Sequence, residues 1–116
     1  MRLRKRDRLR NSVGIETAHG RFTPLITKGT ALPVSLTETF TTADPGQTSI
    51  KLKPFQGEND LVAGNESLGE YEVTQIPPGA PRQPCVLISF HVDVHGALSL
   101  TATDKGTGRD LPVVRL

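Results

Sequence analysis

His91, Asp93 and His95 stand at every second position along and just beyond the alternating stretch Cys85–Val94, so an extended chain would project all three from one face. Two imidazoles and a carboxylate are a zinc-binding set by type. The spacing argues against it, because neighbours on one strand face sit about 7 Å apart, too wide for three ligands on one ion without a bend. The other reading is a solvent-facing polar row that ends in a turn, and no metal is expected. Cys85, the single cysteine, follows Pro84 with no His or Asp beside it; an inert, partly buried thiol is expected rather than a nucleophile. Ser and Thr are abundant but have no paired base. No glycine-rich loop follows a strand and opens a helix, as the nucleotide fingerprints require. No catalytic set emerges, and the chain is expected not to be an enzyme.

Binding chemistry remains. The stretches Val13–Ala18 (VGIETA) and Glu38–Ser49 (ETFTTADPGQTS) each place a large apolar residue, Ile15 or Phe40, on a strand just before a turn. The turns are Ala18-His19-Gly20 and Ala43-Asp44-Pro45-Gly46, small or flexible residues that can frame an opening. With polar Thr17, Thr41 and Gln47 on the rim, an extended peptide could pair there backbone to backbone while a pocket selects a side chain. From pattern alone, the plainer reading of Ile15 and Phe40 as core residues weighs at least as much.

The elements that would position these residues are strands. Alternation marks Val13–Thr17, Arg21–Ile26, Leu36–Thr42, Ser49–Phe55, Glu70–Val73, Cys85–Val94, Ala97–Thr103 and Leu111–Val114. Pro54 removes a ladder donor, which puts its strand at an edge or a bulge. Gln56–Gly69 reads as loop, with a helical turn over Asp60–Gly64, and Ile76–Pro84 as an extended proline-rich link. Gly (11) and Pro (9) suit many short turns rather than long helices. The fold class is therefore all-β, an antiparallel β-sandwich of about eight short strands. Its 116 residues suffice for one core. With no Trp, the large core pieces are Phe22, Phe40, Phe55, Phe90 and Tyr71.

Charge is uneven. Met1–Arg10 carries six basic residues against Asp7, +5 net, which leaves eight basic against eleven acidic, −3, in the rest. Residues 1–11 are expected to be a flexible basic arm, too poor in apolar side chains to pack, and 12–116 the sandwich. An arm that binds nucleic acid or another acidic partner is the alternative function, in a structural or adaptor protein. One cysteine excludes an internal disulfide, and the basic start has no apolar run behind it; a cytoplasmic location is expected. No apolar run approaches the roughly 18 residues of a membrane span, so no membrane partner is expected.

Taken in order, GIETAHGRFTPLI, PVSLTETFTTADPGQTSIKLKPFQGE, NESLGEYEVTQIPPGAPRQP and ISFHVDVHGALSLTATDKGTGRD resemble the substrate-binding β-sandwich of the seventy-kilodalton heat-shock (DnaK-type) chaperones. The resemblance runs from Ser12 to Arg109. It implies a non-catalytic domain that holds short, extended, aliphatic-rich segments of unfolded proteins. Carried over by position, the peptide-binding pocket falls on Ile15, Phe40, Ile50, Leu52 and Val86, and the arch over the peptide on Ala18 and Ala43. Peptide backbone contacts fall on Thr17, Thr41 and Gln47. It implies no cofactor in this chain, with ATP acting only through a separate nucleotide-binding domain. The family often has a larger residue on one side of the arch; two alanines imply a looser clasp. The apolar end Leu111–Leu116 could serve another copy as a client, which would give self-association.

Overall fold

Period-2 alternation becomes strand almost wherever the sequence carries it. The computed structural model describes residues 7–79 and 85–116. Among them lie eleven strands: β1 (Val13–Thr17), β2 (Arg21–Ile26), β3 (Val34–Thr41), β4 (Ile50–Leu52), β5 (Pro54–Gln56), β6 (Glu66–Ser67), β7 (Tyr71–Val73), β8 (Cys85–Val92), β9 (Leu98–Asp104), β10 (Asp110–Leu111) and β11 (Val113–Arg115). Two single-turn 3-10 helices, Ala18–Gly20 and Val62–Gly64, complete the elements, the second inside the helical turn expected over Asp60–Gly64. No described helix is long and apolar enough to cross a membrane.

The strands form antiparallel sheets ordered β2-β1-β5-β6, β10-β9-β8-β3 and β11-β7-β4. In β8 the even positions Val86, Ile88, Phe90 and Val92 are buried. They meet Val13, Ile15, Leu52 and Val73 from the other sheets in a single hydrophobic cluster, as a sandwich requires. The odd positions face outward. Ser89 and His91 of β8 bond across the strands to Thr37, Ser35 and Thr101.

Eleven strands replace the expected eight for local reasons. The segment expected as one strand, Ser49–Phe55, divides at Lys53: β4 pairs with β7, and β5 pairs with β1 in a different sheet. The segment Leu111–Val114 divides at Pro112, with β10 on β9 and β11 on β7. A proline cannot donate within a continuous ladder, and both crossings between sheets occur beside one. The two-residue β6 was expected as loop; it is too short to show alternation.

Residues 7–11 depart from the expected arm. Leu9 is 3% exposed; its N–H donates to the Thr30 carbonyl and its carbonyl accepts from Gly29 N–H. Ser12 is fastened next to it: its N–H and Oγ both donate to the Glu58 carboxylate, at 2.7 and 3.0 Å. The backbone partners of Leu9 stand some twenty positions downstream and its side chain joins the common apolar cluster, which is why an isolated leucine among arginines looked unpackable. The rest of the expected arm, residues 1–6, lies outside the described residues.

Gly14 fixes the register of the first hairpin, opposite Pro24. A Cβ there would collide with the Thr23 carbonyl oxygen and come within 2.7 Å of Pro24 Cα, both backbone atoms that cannot swing aside. Gly14→Ala is therefore expected to lower stability by about 3 kcal/mol in urea denaturation; an unchanged midpoint would show that the hairpin can slide to make room.

Candidate peptide-binding site

The β1–β2 and β3–β4 loops emerge at one end of the sandwich, and strand register puts them there. Pro54 of β5 lies opposite Ile15, and Gln56 opposite Val13. Followed backward from Pro54, the chain therefore runs toward the Thr17 end of β1, and at Ile50 the β3–β4 loop enters the β11-β7-β4 sheet. The first loop turns within three residues, with His19 and Gly20 at φ 64 and 69. The second makes a tight turn at Asp44-Pro45-Gly46-Gln47, closed by Gln47 N–H to the Asp44 carbonyl at 3.3 Å with Gly46 at φ 72. Proline followed by a positive-φ glycine is the signature of a type II turn.

Beneath these loops, the five pocket candidates belong to or pack on one apolar cluster. They differ in depth. Val86 is 0% exposed, Leu52 5% and Ile15 8%, and these three are part of the core. Phe40 and Ile50 are half-buried. Phe40 sits opposite Val86 in the β3–β8 ladder, its ring 6.4 Å from that of Phe90 at 51°. Ile50 pairs with Val73 and Leu52 with Tyr71. The arch candidates Ala18 and Ala43 are both exposed, as are Thr17 and Thr41, while Gln47 is half-buried.

Two of the three rim residues, Thr17 and Gln47, already have side-chain partners within the chain. Thr17 Oγ1 lies 3.0 Å from Thr23 Oγ1 and donates to the Arg21 carbonyl at 3.4 Å. Gln47 Oε1 accepts the N–H groups of Ala43 and Asp44 at 3.0 and 3.1 Å, and its Nε2 donates to the Ser49 carbonyl at 2.6 Å. Sequence reading missed Thr42, which is 1% exposed. Its hydroxyl is buried with no hydrogen-bond partner among the described residues. Thr42 follows the last residue of β3 and continues the inward face of Leu36 and Phe40, and that place in the alternation is the signal that sets it apart from Thr37, Thr39 and Thr41.

The His91, Asp93 and His95 set does not assemble. β8 ends at Val92, so Asp93 and His95 sit in the following turn rather than on the strand face. His91 Nδ1 lies 2.7 Å from Ser35 Oγ and its Nε2 3.0 Å from Thr101 Oγ1. Asp93 Oδ1 instead accepts the N–H groups of Ala97 and His95 at 2.9 Å each. The Ala97 N–H above all holds that carboxyl below its ordinary range, against desolvation and with help from the N–H and charge of His95 and the N–H of Gly96. Among the described residues no group of three His, Cys, Asp or Glu could hold a metal. Cys85 opens β8, partly buried and opposite Thr41.

A two-layer sandwich with paired loops over half-buried apolar side chains defines an all-β module with one built end. The Hsp70 protein family model matches residues 6–114, and the chain belongs to that family of chaperones. It is 45% identical over 84% of its length to the stromal 70 kDa heat shock-related protein, chloroplastic, of Spinacia oleracea. It is 43% identical over 84% to heat shock 70 kDa protein 6, chloroplastic, of Arabidopsis thaliana. It is equally similar, 43% over 84%, to chaperone protein dnaK1 of Synechococcus elongatus. The chain spans 16%, 14% and 15% of those relatives. The expected cytoplasmic location is overturned: the spinach and Arabidopsis relatives are chloroplastic, and a lone cysteine does not separate plastid from cytosol, since both hold thiols reduced.

An orphaned buried hydroxyl costs about 1–3 kcal/mol. Thr42→Val keeps the shape and removes the orphan, so it is expected to raise stability by about 1 kcal/mol in thermal and urea unfolding. A loss of stability would show that the hydroxyl has a partner in solution.

Proposed function

We propose that this chain holds short, extended, apolar segments of unfolded polypeptides between the Ala18 and Ala43 loops, as the substrate-binding part of a chaperone. The observation that carries the reading is that half-buried Phe40 and Ile50 flank the exposed Ala43 loop and pack on the apolar cluster to which Ile15, just before the exposed Ala18 turn, also belongs. Membership of the Hsp70 family supports it. Phe40 and Ile50 form the accessible floor, and Ile15, Leu52 and Val86 form the wall behind them. One leucine or isoleucine of the visitor gains roughly 1.5–3 kcal/mol on burial. Backbone hydrogen bonds add affinity without reading sequence. With alanine on both sides, nothing large closes over the segment, so binding is weak and reversible. Any use of ATP comes from a separate nucleotide-binding domain.

Self-association through Leu111–Leu116 loses support, because Leu111 is buried and Val113–Arg115 is paired in β11. That segment would have to leave the sheet to become a client.

A fluorescent leucine-rich heptapeptide is expected to bind with a dissociation constant of about 10 μM or weaker, read by anisotropy. Phe40→Ala removes floor and weakens binding about tenfold. Ala43→Trp, at an exposed position, obstructs the slot without touching the core and abolishes binding. Unchanged affinity in both variants contradicts the proposed slot.

A further inference from the structure

We propose that Gln47 is a positioning residue: its carboxamide clamps the Ala43 loop and so sets how fast a bound segment is released. The inference rests on the peptide-binding reading above. Ala43, Asp44, Pro45 and Gly46 are all exposed, so burial does not hold their side chains in place. The loop hangs between buried Thr42 and the start of β4, and hydrogen bonds give it its shape. One links the turn to the proline-rich segment, Gly46 N–H to the Gly79 carbonyl at 2.9 Å. The rest are the turn closure from Gln47 N–H to the Asp44 carbonyl at 3.3 Å, a tie from Ile76 N–H to the Thr48 carbonyl at 3.0 Å, and three bonds from one side chain, since Gln47 binds both N–H groups on the outgoing limb and the Ser49 carbonyl on the returning limb.

This use of the carboxamide changes the role expected for Gln47. An amide oxygen has two lone pairs, and Ala43 and Asp44 occupy both. Gln47 therefore has no acceptor left for a peptide N–H, and only one Nε2 hydrogen remains for a carbonyl. Its main work is to keep Ala43 over the slot. A fastening of this kind adds little to global stability, because the groups it releases turn to water. It governs release, because opening the Ala43 side requires those bonds to break first.

Two substitutions separate the halves of the clamp. Gln47→Met keeps the length and loses all three bonds. Gln47→Glu keeps an acceptor for Ala43 and Asp44 but cannot donate to Ser49 when ionised. In the peptide-free chain, amide exchange at Ala43 and Asp44 is expected to accelerate about tenfold in the Met variant and to stay near wild type in the Glu variant. Stopped-flow dissociation of the labelled heptapeptide is expected to be about tenfold faster in the Met variant and intermediate in the Glu variant, with association rates and melting temperatures close to wild type. Unchanged exchange and release in the Met variant overturn the clamp. Equal loss of association in both variants also overturns it, since that result marks direct contact with the peptide. If the wild-type chain does not bind the peptide while the exchange pattern holds, the clamp stands as a loop fastener but the peptide-binding reading and its role in release fall.

Discussion

The register of β3 against β8 is the constraint on which the candidate site depends. The two strands pair over eight positions, from Val34 opposite Val92 to Thr41 opposite Cys85. β8 is also paired with β9 on its other side, so its buried row cannot rotate away from the core. A slip of one residue would turn Phe40 outward and bring Thr39 and Thr41 into the apolar layer, since side chains alternate strictly between faces. Burying those hydroxyls without partners is costly. The same register sets where the Ala43 loop leaves the sheet, and hence what lies beneath it.

The second half of the site is anchored differently. β1 is gripped at its start, where Ser12 is held by Glu58 and Leu9 is buried below, and in its middle, where Gly14 lets the Thr23 backbone approach closely. Its Thr17 end pairs with Arg21 and leads into the first loop. Two proline-marked crossings, at Lys53-Pro54 and at Pro112, carry the chain between sheets and close the core. The first of them lies opposite β1 and so links the two halves: β4 receives the Ala43 loop, and β5 pairs with β1.

Much of this was legible because alternation is local. Val13–Thr17 and Arg21–Ile26 form strands with the expected bounds, and the even row of β8 is the buried one. What was not legible depends on partners distant in sequence. Pro54 announces a break, but only the pairing of β4 with β7 and β5 with β1 shows that the break is a crossing between sheets. Leu9 is surrounded by charge, and its backbone partners are far downstream. Val94 continues the apolar alternation of β8, yet the strand stops at Val92 because Asp93 accepts the N–H groups of His95 and Ala97 and starts the turn. Val94 is left 43% exposed. At the site, the residue types were readable but their depths were not: Val86, Leu52 and Ile15 are core, while Phe40 and Ile50 remain half-buried. Gln47 looked like a rim residue because nothing in the sequence shows that its amide is spent on its own loop.

A frame built in this way presents two short exposed loops, at Ala18 and at Ala43, and everything proposed for the chain follows from that asymmetry. Titration of the 15N-labelled chain with an unlabelled leucine-rich heptapeptide, followed by NMR, examines it most directly. Shifts are expected at Thr17–His19, at Phe40 and across Thr41–Gln47, with the outer face around Ser35, His91 and Thr101 unmoved. Shifts confined to that outer face, or no shifts at all, would contradict it.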